Sequence, residues 1–360
     1  MTLRVREGVA LAPLTSLRLG GPARYLAEAA DAVELREALA WAGRRSLPVQ
    51  LLGGGTNTVF PDRGFEGLVI HLGDRGLAFE EAGDEATLVR VRAGTDWDDV
   101  ARAAVERGLA GIECLSGIPG AAGAAPLQNI GAYGQELGDT LAAVTCLRLA
   151  DGQEVRIPAA ECGLGYRTSR FKAGDRGRFA ILELELELAR GAEPTVRYPE
   201  LTASLERGAD LSSLEPPAAL AAVRDHVLAL RRAKSMLLDP EDPDARSAGS
   251  FFLNPVLAPE AFGALARRHA RAGAEGPVPS FPAPGGVKVP AAWLVEQAGF
   301  RKGERHGGVG ISSAHALALV NRDGTTAELL ELAGRIREAV RGRFGVELEI
   351  EPDVVDGAGR

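Results

Sequence analysis

A chain of 360 residues with 46% apolar and 25% charged side chains can bury a substantial core, and its length suits two or three domains of about 150 residues. Its net charge of −8 disfavours nucleic acid and anionic lipid as partners, because the surface as a whole repels both. Three cysteines, Cys114, Cys146 and Cys162, lack C-x-x-C spacing, which argues against a disulfide framework and against a cysteine-built metal site.

The opening MTLRVREGVALAPL has no long apolar segment, and no run of about 18 apolar residues occurs anywhere, so neither a signal peptide nor a membrane span is expected. A cytoplasmic location follows. Residues 32–46 carry apolar positions at helical spacing, and LPVQLLGGG (47–55) reads as a buried strand ending in glycines. GLVIHL (67–72) is a further strand. Residues 86–94 alternate like a strand, and 96–111 open on aspartates and read as a helix. LAAVTCLRLADGQEVRIP (141–158) reads as a hairpin, with Asp151-Gly152 suited to a type I′ turn. Residues 178–189 read as a long alternating strand.

A helix is expected over 216–238, starting on prolines, followed by a loop at 238–247. Helices at 258–273 and 290–300, strands at VGIS and ALALVNR, a helix at 326–345 and a last strand at 346–355 complete the chain. The Pro/Gly-rich 273–286 reads as an ordered loop.

Two glycine-rich segments invite a ligand. In LLGGGTNTVF (51–60) the glycines can turn backbone N–H groups toward an anion, or merely form a tight turn. The nicotinamide fingerprint G-x-G-x-x-G is absent from it. LSGIPGAAGAAPLQNIGAYGQEL (115–137) cannot build a dense core alone, and loops of that length without structure generally bind something. Two such segments favour a dinucleotide.

GGGTN, SGIPGAAGAAPLQNIGAYGQEL, GYRTSRFK (165–172), AGSFFLNP and a C-terminal Glu-Pro follow one another in this order. Together they resemble the UDP-N-acetylenolpyruvoylglucosamine reductase family, in its longer form with a tyrosine-bearing substrate loop, from about residue 13 to 355. The resemblance implies an α+β protein: a two-part FAD-binding fold of the vanillyl-alcohol-oxidase type with a C-terminal substrate lobe. The implied division is 1–75 joined by 346–360, then 76–230, then 236–345. It also implies non-covalent FAD, NADPH as hydride donor, a UDP-sugar substrate, no metal, and a monomer; no His or Cys stands out as a flavin attachment point.

Carried over residue by residue, the resemblance gives Arg167, Ser250 and Glu351 as catalytic. Arg167 would bind a carboxylate with two hydrogen bonds, Ser250 would deliver a proton, and Glu351 would polarise an enolate. Glu349 and Asp353 stay open as alternatives, since period two puts all three acids on one strand face. The FAD contacts implied are Gly53, Gly54, Gly55, Thr56, Asn57, Thr58, Ser116, Gly117, Ile118, Pro119, Gly120, Gly123, Gln128, Asn129, Gly131, Ala132 and Tyr133. The substrate contacts implied are Tyr198, Lys234, Asn254, Lys288 and Gln297, with Asn254 also readable as an ordinary turn residue before Pro255. Two other readings share the pattern: a flavin oxidase that uses oxygen, and a UDP-sugar binder without catalysis. The joint presence of Arg167, Ser250 and an acid speaks against the second.

Overall fold

The computed structural model describes residues 3–208, 210–271 and 276–357. β1 (Val5–Ala10) and β2 (Pro22–Ala29) pair antiparallel and lead into α1 (Ala32–Gly43). Asp31 caps α1 by accepting the Glu34 N–H, and Leu35, Ala38 and Ala42 turn inward. The helix stops short of the expected 46 because Ser46 takes a left-handed backbone (φ 51°) that turns the chain into β3 (Val49–Leu52). β4 (Thr58–Val59) and β5 (Phe65–Leu72) follow. The sheet order is β1-β2-β5-β3, with β5 parallel to both β2 and β3.

The second lobe begins with β6 (Leu77–Glu81) and β7 (Ala86–Arg92). α2 (Trp97–Val105) is shorter than the expected 96–111, because Gly108 (φ 67°) reverses the chain into β8 (Leu109–Ala110). The Gly/Ala-rich stretch is not a bare loop: it holds a 3-10 run over Ala122–Gln128 and a small hairpin of β9 (Gly131–Ala132) and β10 (Gln135–Glu136). β11 (Leu141–Arg148) and β12 (Glu154–Pro158) form the expected hairpin. Its connection is not a two-residue type I′ turn, which needs positive φ at both central residues. Of Asp151 and Gly152 only the glycine has it (φ 69°), and its N–H bonds back to the Arg148 carbonyl. β13 (Phe179–Arg190) is the centre of the antiparallel order β12-β11-β13-β7-β6. Leu184, Leu186 and Leu188 bury fully on one face of β13, while Glu185 on the other is held by Arg156 and Arg90.

α3 (Pro199–Leu205) and α4 (Pro216–Ala233) cover the second lobe, and α4 ends before the expected 238 where Ser235 turns left-handed (φ 54°). The third lobe runs through β14 (Ser247–Ser250), β15 (Val256–Leu257), α5 (Pro259–Arg271), β16 (Phe281–Ala283), β17 (Gly286–Lys288), α6 (Ala291–Gln297), β18 (Arg305–His306), β19 (Val309–Ile311), β20 (Ala318–Asn321) and α7 (Thr326–Phe344). Its sheet has the order β14-β20-β19-β18. The β16–β17 hairpin falls in the stretch read as an ordered loop, 273–286, of which 273–275 lie outside the described residues. α7 starts on a capping box of Thr325 and Glu328 and ends on left-handed Gly345, a stop only glycine takes without strain.

The expected last strand, 346–355, is mostly irregular. Only β21 (Asp353–Val354) is a strand, lying parallel to β4. Buried Val346 and Leu348 alternate with exposed Glu347 and Glu349, but the phase breaks before buried Glu351. The three acids therefore do not share a face. The return of the chain ties lobes together: Val355 joins the core of the first, while Leu17, Leu19 and Val59 join the core of the third. Among the described residues, no helix is long and apolar enough to cross a membrane.

Candidate active site

The site forms where three distant segments meet. Gly165–Thr168 is a tight turn closed by reciprocal backbone bonds of 3.1 and 3.2 Å, with Arg167 at its third position in a left-handed conformation (φ 52°). That conformation strains a non-glycine residue, and such strain persists only where the surroundings fix it. Lys172 Nζ donates to the Arg167 carbonyl at 3.3 Å, and Asn129 Nδ2 donates to the Gly165 carbonyl at 3.2 Å.

Ser250 closes β14. Gly249 just before it has φ 69° and makes a bulge between the paired residues Ser247–Val320 and Ser250–Ala318. Ser247 is not a turn residue but the buried first residue of β14, and its hydroxyl accepts the Gly249 N–H at 3.3 Å. Phe251 and Phe252 are both buried and meet edge to face with centroids 5.6 Å apart, so they anchor the segment. The Ser250 hydroxyl is half-buried and uncommitted among the described residues.

The C-terminal segment pairs with this anchor: Glu351 N–H donates to the Phe251 carbonyl at 3.0 Å, and Leu253 N–H to the Glu349 carbonyl at 2.9 Å. Glu351 Oε1 lies 3.4 Å from Arg167 Nε, while Arg167 Nη2 donates to the Gly131 carbonyl at 3.2 Å. Of the three candidate acids, Glu349 is exposed and Asp353 pairs with Arg176 at the surface. Glu351 is the one buried beside Arg167. Burial raises its carboxyl above the usual range, against the opposing pull of Arg167 and Lys172.

The glycine segments meet beside this pair. A Cβ on Gly54 would lie 2.8 Å from Gly120 Cα, so part of the glycine content serves close backbone packing. Thr56 Oγ1 donates to the Pro119 carbonyl at 3.0 Å, and Asn57 Nδ2 to Gln128 Oε1 at 3.2 Å. Asn57 also reaches the Glu351 carbonyl at 3.5 Å. The N–H groups of Gly54, Gly55, Thr56 and Asn57 have no acceptor among the described residues, which is the chemistry of an anion-binding nest.

Other expected contacts are committed to the protein. Ser116 is fully buried and donates to the Glu113 carbonyl at 2.6 Å. The Gly117 N–H is taken by Asp98 Oδ1 at 2.6 Å, and the Gly123 N–H by the Ala93 carbonyl at 2.8 Å. Asn129 uses its whole amide on Glu136, Gly138 and Gly165. These residues hold the second segment in place through the protein's own hydrogen bonds. Thr58 lies in β4, Ile118 and Ala132 are half-buried along the second segment, and Tyr133 is nearly buried.

The expected substrate residues fall into two groups. Lys234 Nζ lies 5.7 Å from the Tyr133 ring centroid, and Tyr133 packs edge-on to Tyr198. Lys288 Nζ lies 5.2 Å from the Tyr166 centroid, and Tyr166 lies within electrostatic reach of Asn254. Asn254 Oδ1 also accepts the Ala291 N–H at 2.8 Å, so it caps α6. Gln297, half-buried at the end of α6, belongs to neither group by any side-chain bond among the described residues.

The segment 240–355 matches the family model for the UDP-N-acetylenolpyruvoylglucosamine reductase C-terminal domain, and 23–158 matches an FAD binding domain. The UDP-N-acetylenolpyruvoylglucosamine reductase of Thermobifida fusca is 46% identical over 360 residues, covering 99% of each chain. That of Streptomyces coelicolor is 45% identical over 350 residues, covering 96% of this chain and 88% of its own. The chain belongs to the UDP-N-acetylenolpyruvoylglucosamine reductase family. The crystal structure of the Thermus caldophilus reductase superposes with a TM-score of 0.67 at 26% identity, over 99% of this chain and 100% of that one.

As a member of this reductase family the chain is an FAD-dependent oxidoreductase with the expected α+β fold. The residues present suit the cofactor: the N–H groups of Gly54–Asn57, which have no acceptor among the described residues, are the donors that an anionic group such as a diphosphate would take. Four neighbours of the expected residues were not singled out from the sequence: Tyr166 beside Lys288, Lys172 on the Arg167 carbonyl, Glu200 paired with Lys234, and Arg231. Tyr166 and Lys172 lie within GYRTSRFK and Glu200 within VRYPEL, so position next to a motif residue was the available signal. Arg231 is buried under the glycine segment and donates to the Gly117 carbonyl at 3.0 Å. It stands in LRRAK (230–234), a basic cluster within an acidic chain, and nothing local distinguishes it.

Proposed function

We propose that this chain reduces UDP-N-acetylglucosamine enolpyruvate to UDP-N-acetylmuramate at the expense of NADPH, with Arg167, Glu351 and Ser250 as its catalytic residues. The observation that carries the reading is the buried Glu351 carboxyl, 3.4 Å from the Arg167 guanidinium, on a segment hydrogen-bonded to the residue after Ser250. When bound, FAD supplies a two-electron carrier that takes hydride from NADPH and gives it to the methylene carbon of the substrate. That carbon–hydrogen bond leaves an electron pair on the adjacent carbon, spread into the carboxylate as an enolate. Arg167 faces the carboxylate and offsets the developing charge. Ser250 gives its proton to the enolate carbon, and the serine is reprotonated from solvent. Glu351, whose carboxyl burial raises above the usual range, donates a hydrogen bond to the enolate oxygen in its protonated form.

The FAD contacts are the Gly53–Thr58 turn and the facing edge of 116–133. The UDP-sugar contacts are Tyr198, Lys234, Asn254, Lys288 and Gln297. The three-lobe division, 1–75 with 346–360, 76–230 and 236–345, belongs to the same proposal. So does a monomer acting in the cytoplasm, without nucleic acid, in the synthesis of peptidoglycan precursors and hence in cell shape and division.

The test separates two half-reactions. Ser250→Ala should keep reduction of the flavin by NADPH, followed at the flavin absorbance, and lose turnover of the enolpyruvyl substrate by about 10²–10⁴-fold. Equal loss in both would remove the proton-donor role. NADPH oxidation that needs oxygen and ignores the enolpyruvyl substrate would replace the reductase reading with the oxidase one.

A further inference from the structure

Glu200 stands in the first turn of α3, two residues after Tyr198. Its Oε2 lies 2.5 Å from Lys234 Nζ, with the two side chains 39% and 28% exposed, so an ion entering the cleft can reach the pair. The same ammonium faces the Tyr133 ring, whose edge-on partner is Tyr198 at 5.7 Å. His315 lies within electrostatic reach of Glu200, Lys234 and Lys302. Its Nδ1 accepts the Leu317 N–H at 3.1 Å, which leaves the ring proton on Nε2. Burial, reinforced by the two lysines, pushes this imidazole down to about 4, so at neutral pH it is an uncharged donor. One ammonium group, Lys234, thus holds a carboxylate supplied by the chain itself, with the neutral His315 ring within electrostatic reach of both.

We propose that Glu200 is a resident anion that occupies the place of the substrate's diphosphate on Lys234, and that a diphosphate displaces it and thereby frees the Tyr198 segment. This rests on the reading of Lys234 as a diphosphate contact. A diphosphate diester carries two charges against the single charge of Glu200, so it outcompetes the carboxylate where a monoanion does not. Glu200 is in this sense a positioning residue that acts through Lys234 and sets the selectivity of the site for diphosphates.

The experiment is calorimetric titration of the FAD-loaded enzyme with UDP and with inorganic pyrophosphate, the flavin spectrum serving as the check on folding. Glu200→Gln should tighten both ligands by roughly two- to fivefold, the range expected for releasing a half-exposed ion pair. In a Lys234→Ala background the same substitution should change nothing, because its effect passes through Lys234. Unchanged or weaker binding in Glu200→Gln, with Lys234→Ala weakening the ligands, overturns this inference and leaves Lys234 as a contact. Undiminished binding in Lys234→Ala overturns the Lys234 reading itself. A merely structural role for Glu200 predicts weaker binding, the opposite sign.

Discussion

At the scale of single residues, Glu351 is where burial and charge compete. Burial favours its neutral form, and the neighbouring Arg167 and Lys172 favour the ionised one, with burial the larger effect. Its carboxyl in the fold therefore sits above the ordinary value of 4.5. The stability it contributes is fully present below that ordinary value and is lost as pH rises through the raised one. Glu351→Gln carries no such ionisation. Relative to this variant the parent should gain stability on acidification from pH 8 toward pH 4, read as the difference in urea midpoints. A gap that does not move with pH would mean that the carboxyl is not perturbed. The same substitution should cut turnover of the enolpyruvyl substrate by about 10²–10⁴-fold. Arg167, Ser250 and Glu351 were legible as motif residues. What Asn129 and Ser116 do was not, because their partners lie on other turns: Glu136, Gly138 and Gly165 for the one, Glu113 for the other. A motif names a residue type and is silent about how much of its hydrogen-bonding capacity the fold has already used.

Elements with a sustained period were readable, and those without one were not. The three Leu-Glu repeats along β13 and the long α7 announce themselves. β14, β16 and β17 are three or four residues long, and no periodicity exists at that length. The glycine segments show a related limit. Their composition suggests a ligand, yet Gly54 is also required by the approach of Gly120, a contact between residues 66 positions apart by subtraction of their numbers. Gly54→Ala separates the two uses. The added methyl would sit 2.8 Å from Gly120 Cα and 2.9 Å from Ala121 N, both backbone atoms that no rotamer change can move aside. One segment must shift, at roughly 1–3 kcal/mol. The purified variant should hold several-fold less FAD, measured by the flavin-to-protein absorbance ratio. Full FAD content would show that the two segments are not packed on each other as described.

Over the whole molecule, the lobes are sewn together by a chain that crosses between them and returns, a feature that no local pattern contains and that the sequence showed only through resemblance. α7, in the third lobe, has its N-terminus held from the first: Asp62 accepts the Thr326 N–H at 2.8 Å and the Ala327 N–H at 2.9 Å. Thr326 Oγ1 donates to the Phe60 carbonyl at 2.7 Å, and Asn321 Nδ2 to the Leu17 carbonyl at 2.9 Å. A carboxylate on the free N–H groups of a helix also meets the positive end of its dipole. Asp62→Ala should cost about 0.5–2 kcal/mol, the range for losing a cap. Because the contact spans two lobes that share core residues, the cost should lower one cooperative transition and leave it undivided. The thiols provide a probe confined to the second lobe. Cys114, Cys146 and Cys162 are buried, which pushes them to about 12, 12 and 11 and keeps them unreactive in the fold. Flavin release reports on the glycine cleft between the first and second lobes, and Trp293 fluorescence, isolated in a Trp41→Phe, Trp97→Phe background that serves as the parent, on the third. In urea, thiol labelling, flavin release and tryptophan emission should share one midpoint in the parent and one lower midpoint in Asp62→Ala. If emission from Trp293 moved alone while the thiols and flavin held, the third lobe would be an independent unit, and the interleaving of the chain would not be what makes it cooperative.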